Sequence, residues 1–129
     1  DLAGPVMTII GDAVAGATHS GATGDDVIDS SSSSQSIYAY GGAGADTATG
    51  GDGNDTMVGG TGTDRLAFNA SNASETIVVS GSAGHVVLTR DVGSITLDVT
   101  GVETAEVNTL GGIDQVTVND LSGTALTTV

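Results

Sequence analysis

Three aspartates of this chain, Asp46, Asp55 and Asp64, recur nine residues apart, each at the sixth place of a block that opens Gly-Gly-x-Gly. The blocks abut without a gap: GGAGADTAT (41–49), GGDGNDTMV (50–58) and GGTGTDRLA (59–67). A carboxylate set among glycines at fixed offsets can build a cage of oxygens, because glycine tolerates positive φ and lets backbone carbonyls approach a ligand closely. Hard cations need such oxygens. Calcium takes six to eight of them at about 2.3–2.6 Å in irregular geometry, whereas magnesium demands a near-ideal octahedron and keeps its waters. The spacing points to calcium.

Elements must hold these turns in place. After each Asp come three residues, Thr47–Thr49, Thr56–Val58 and Arg65–Ala67, enough for a very short strand with its middle side chain turned inward. Ala48, Met57 and Leu66 are therefore the expected core line. One turn supplies one carboxylate and a few carbonyls, too few for a closed calcium cage, so a site must be shared between stacked turns. If two blocks make one coil, the first and third stack about 4.8 Å apart, as neighbouring strands do. Asp46 and Asp64 would then face one ion. Without it the carboxylates repel one another over a thin core, so folding is expected to depend on calcium.

In their Gly-Gly, Gly and Asp positions the three blocks resemble the GGxGxDxUx nonapeptide of the RTX, or haemolysin-type, calcium-binding repeats. The resemblance covers 27 residues, 41–67. It implies an all-β, right-handed parallel β-roll or β-helix solenoid with calcium between its turns, in a protein secreted by bacteria or displayed on their surface. It also implies a ligand set: the carboxylates of Asp46 and Asp64, with carbonyls of Gly41 and Ala43 on one turn and Gly60 and Gly62 on the other. Asp55 has Ile37 and Ala73 at its partner positions. An ion there would draw on Gly50 and Asp52 of its own turn, on Asn69 or on water, and is expected to bind more weakly or not at all.

The rest of the chain fits a repetitive all-β reading. Its 129 residues carry 21 glycines, no cysteine and three aromatic residues, Tyr38, Tyr40 and Phe68; helical periodicity is absent, and a thick core would be hard to build. Sixteen acids, thirteen of them Asp, stand against two arginines, a net charge of −14 that repels nucleic acid and anionic membranes. No apolar run approaches a membrane span. Strand-like runs are expected at Val6–Ile10, Val27–Ile28, Ile37–Tyr40, Thr76–Val79, Val86–Thr89, Ile95–Val99 and Val116–Val118. The chain reads as one module: degenerate leading coils over 1–40, including the serine-rich 29–36, the nonapeptides over 41–67, and longer coils over 68–129. The last ten residues, DLSGTALTTV, align with the first ten, DLAGPVMTII, with four identities at an offset of 119. A next tandem unit is therefore expected to begin at Asp120, making neighbouring copies candidate partners.

Bland readings account for the remaining polar residues. Asp26 and Asp114 sit in shortened turns, TGDDVI and GGIDQV, and are expected to cap their own turn amides, as is Asp12. His19 and His85 lack partners at zinc spacing. No G-x-S-x-G elbow appears, and the aspartates are explained by turns, so the chain is not expected to be an enzyme. The leading expectation is a structural module of an adhesin, surface layer or fibre. The alternative is the carboxy-terminal calcium and secretion domain of an extracellular protease, lipase or epimerase. An ice-binding Thr-x-Thr face has one rung, Thr47-Ala48-Thr49, and ranks below both.

Overall fold

Strand-forming runs cut by glycine turns are too short to stand singly and must pair with whatever the turns bring alongside. The computed structural model describes residues 8–10, 17–20 and 23–129, and every regular element among them is a strand. The first seven are β1 (Thr8–Ile10), β2 (Ala17–Ser20), β3 (Val27–Asp29), β4 (Ile37–Ala43), β5 (Thr47–Gly50), β6 (Thr56–Thr61) and β7 (Arg65–Asn69). They alternate between two sheets. Odd-numbered strands pair in the order β1-β3-β5-β7 and even-numbered ones in the order β2-β4-β6, all parallel. Thr47 aligns with Arg65 and Tyr38 with Thr56, so two nonapeptides advance the chain by one layer. The first and third blocks lie on the same side, an arrangement consistent with a β-roll.

Parallel pairing does not run to the end of the chain, and the expectation of a wholly parallel solenoid is corrected here. After β7 come β8 (Thr76–Ser82), β9 (His85–Arg90) and β10 (Ile95–Thr100), an antiparallel meander in which Val79 and Leu97 both align with Leu88. Local turn chemistry explains the switch. Only Ala83 and Gly84 join β8 to β9, both at positive φ (51° and 85°), the backbone of a two-residue hairpin whose twist matches that of its strands. β10 then returns parallel to β6, β11 (Thr104–Asn108) adds parallel to β7, and β12 (Gln115–Val118) adds parallel to β8. The result is a five-stranded parallel sheet, β1-β3-β5-β7-β11, and a seven-stranded mixed sheet, β12-β8-β9-β10-β6-β4-β2. Strands β2 and β11 were not among the expected runs. Val6 and Asp12 lie outside the described residues.

The inward positions stack in register. Ile28, Ala48, Leu66 and Ala105 line one sheet and Ala39, Met57 and Val99 the other. Met57 and Leu66 are buried to 1% exposure, and Ala48 packs against them from a partly buried position. Phe68 is fully buried, while Tyr38 and Tyr40 face outward. With so few large side chains, each carries much of the core. Leu66→Ala should lower the unfolding free energy in calcium by about 2–5 kcal/mol. Ile113→Ala, at a site 86% exposed, should change it by less than about 0.5 kcal/mol. Chemical denaturation checks both, and equal effects would contradict this assignment of the core.

Candidate metal centre

A three-residue turn leads into each of β3, β5 and β7: Gly24-Asp25-Asp26, Gly44-Ala45-Asp46 and Gly62-Thr63-Asp64. Because Val27, Thr47 and Arg65 are in register, the aspartates that precede them form a column along one edge of the parallel sheet. Asp46 and Asp64 are 5% and 1% exposed. Asp46 Oδ1 accepts the Asp26 N–H at 2.8 Å, and Asp64 Oδ1 accepts the Asp46 N–H at 2.8 Å. The second oxygen of each, Oδ2, is buried with no hydrogen-bond partner. A buried carboxylate oxygen left so costs free energy that a bound cation would recover.

Glycine is obligatory beside these oxygens. A Cβ on Gly41 would collide with Asp46 Oδ2 and, at 2.5 Å, with the Gly59 carbonyl oxygen; one on Gly59 would collide with the Gly101 carbonyl and, at 2.5 Å, with Asp64 Oδ2. Each orphan oxygen thus shares its space with a carbonyl of the next layer. Gly41, Asp46, Gly59 and Asp64 line one small cavity of about 10 Å³ together with apolar residues that include Ile28, Met57 and Val102. Among the described residues no three His, Cys, Asp or Glu side chains converge, so an ion here would complete its shell with carbonyls and water. Two buried anionic oxygens and adjacent carbonyls fit a hard cation. Asp46 and Asp64 would hold it, and the ion would supply the neutralising charge.

The other expected ligands are placed differently. The Ala43 carbonyl accepts the Gly24 N–H at 2.8 Å. Gly60 and Gly62 are exposed, each with its Cα against a carbonyl of the layer below, Gly42 and Gly44 respectively. The carbonyls beside the orphan oxygens are instead those of Gly59 and Gly101, which sequence reasoning did not select. Asp55 lies at the opposite edge, and both its oxygens are engaged, by the Ile37 N–H at 3.1 Å and the Gly51 N–H at 3.2 Å. It closes a turn. Gly50 is buried beside Met57 and Asp55, Asp52 pairs with Arg90 at 2.9 Å, and Asn69 accepts from Asn108 at 3.1 Å.

Further residues define the surroundings. Arg90, 4% exposed, also reaches Glu75 at 3.4 Å and lies 5.7 Å from the Phe68 ring centre. Its alternation with Val86 and Leu88 marks it as inward-facing, a signal that sequence reasoning did not use. Asp114 was expected to cap its own turn. It accepts instead from the Glu75 N–H of the stacked turn at 3.0 Å. Asp26 is buried in the aspartate column, and His85 pairs with Asp98 at 2.6 Å.

This geometry defines a class, an all-β protein with carboxylate-and-carbonyl turns built for a hard cation. The family model described as RTX calcium-binding nonapeptide repeat (4 copies) matches residues 38–67. That segment is made of RTX repeats, and RTX nonapeptide repeats bind calcium. No curated protein and no solved structure matches the chain.

Burial pushes the carboxyls of Asp46, Asp55 and Asp64 above their ordinary value of 3.8, partly offset by the amides they accept. Asp26 and Asp25 raise Asp46 further, as Asp46 and Glu103 raise Asp64. Above 3.8 these three carboxyls therefore hold protons in the metal-free folded chain that they have lost in the unfolded one, so their contribution to stability falls as pH rises through the folded values. With calcium the sign reverses, since protons compete with the ion. Lowering the pH from neutrality through the folded values of these carboxyls should increase the β-signal that remains in chelator and lower the thermal midpoint in saturating calcium. A midpoint in calcium that rises as the pH falls, with no gain of β-signal in chelator, would contradict the site.

Proposed function

We propose that this chain is a non-catalytic structural module, clamped by calcium and carried in tandem copies by a secreted or surface-displayed bacterial protein. The observation that carries the reading is the pair of buried, unpartnered Oδ2 atoms of Asp46 and Asp64 in stacked turns. An ion bound there joins two layers of the parallel sheet and cancels the repulsion that opposes their stacking. Its binding free energy then becomes folding free energy. This is a β-roll whose rigidity is set by calcium, a property suited to an extracellular stalk or fibre. RTX repeats typically occur in secreted bacterial proteins, which supports that location.

Strand pairing supports the tandem arrangement. Thr128 bridges Thr104 in parallel, with the Ala105 N–H donating to the Thr128 carbonyl at 2.9 Å. At the 119-residue offset, residues 127–129 correspond to β1. They therefore add to β11 at the edge of the sheet opposite β1 itself. A following copy would continue the same parallel sheet, with neighbouring modules as partners.

Two copies joined at the 119-residue period test this. Small-angle scattering should give a rigid, compact rod in calcium and an expanded, flexible chain in chelator; identical dimensions in both would contradict the proposal.

A further inference from the structure

The aspartate column does not stop where the nonapeptides stop. Gly101-Val102-Glu103 leads into β11 as Gly44-Ala45-Asp46 leads into β5 and Gly62-Thr63-Asp64 into β7. The glycine has positive φ in all three turns, 60°, 138° and 131°. Thr104 aligns with Arg65 as Arg65 aligns with Thr47, so Glu103 stands one layer beyond Asp64 just as Asp64 stands beyond Asp46. The hydrogen-bond ladder continues too. Glu103 Oε2 accepts the Asp64 N–H at 2.7 Å, the bond that Asp64 Oδ1 makes with the Asp46 N–H. What differs is the path between them, a step of 39 residues in place of 18, because the antiparallel meander is inserted there.

The oxygen that lacks a partner lies on that side. Asp64 is 1% exposed, and its unpartnered Oδ2 shares with the Gly101 carbonyl the space that a Cβ on Gly59 would occupy. We infer that Glu103 completes a second calcium site, held by Asp64 Oδ2, the Glu103 carboxylate and the Gly101 carbonyl, with water filling the remaining positions. The inference rests on the calcium reading of the first site and extends it to a turn outside the nonapeptides. The cluster consists of oxygens alone, as calcium requires. Asp64 then serves both ions, between the layers of Asp46 and Glu103. The second ion ties the strand that follows the meander, β11, to the last nonapeptide.

Native mass spectrometry and calorimetry with calcium alone, on the full chain, test the inference. Glu103→Gln should bind one ion fewer than the wild type, while Asp55→Asn should bind the same number. Equal ion counts and affinities in Glu103→Gln and wild type would overturn the second site and leave the first standing. A wild-type chain that binds no calcium would overturn the calcium reading itself. Because Glu103→Gln can fail to fold, a crystal structure of the wild-type chain grown with calcium gives an independent result. An ion within about 2.3–2.6 Å of Asp64 Oδ2 and a Glu103 oxygen is expected. A water there, or an ion only between Asp46 and Asp64, would overturn it.

Discussion

Like charges stacked at strand spacing are the constraint on which the rest of this structure depends. Asp26, Asp46, Asp64 and Glu103 follow one another at the edge of a parallel sheet, where layers repeat about every 4.8 Å. Two unit charges at that separation repel by roughly 3 kcal/mol at an effective dielectric near 20. A domain has only about 5–15 kcal/mol of net stability, so two or three such pairs consume most of it. Amide donors from the layer below stabilise one oxygen of Asp46, Asp64 and Glu103. The second oxygens of Asp46 and Asp64 have no donor, and there a cation acts.

Glycine and register follow from the same stacking. The layers approach until a carbonyl of one lies against a Cα of the next, as Gly59 and Gly101 do with Gly41 and Gly59, and a side chain at either position would hold the layers apart. Register in turn keeps Ala48, Leu66 and Ala105 in one line and the acids in another. A one-residue slip would turn each inward side chain outward.

Much of this was legible in the sequence because it is local and periodic. The nine-residue spacing placed Asp46 and Asp64 on one edge, and the inward positions of Met57 and Leu66 followed from the three-residue strands. Glu103 was not legible. It belongs to the column only because the meander returns the chain to the same layer 39 residues later, and no local pattern records that return. The meander itself had a signal, Ala83-Gly84 between two β-rich runs, which the expectation of continuous parallel coils obscured. Arg90 had one too, in its parity with Val86 and Leu88. Asp55 looks identical to its neighbours in sequence and, like them, accepts an amide from the layer below, that of Ile37; it differs because the Gly51 N–H of its own block bonds its second oxygen.

The central claim is that calcium binding and folding of this chain are one event. Calorimetric titration of the full chain with calcium, followed by circular dichroism with and without chelator, tests it most directly. The account predicts a measurable heat of binding and a gain of β-signal on adding calcium, lost again on chelation. A full β-signal in chelator, with no heat of binding, would contradict it.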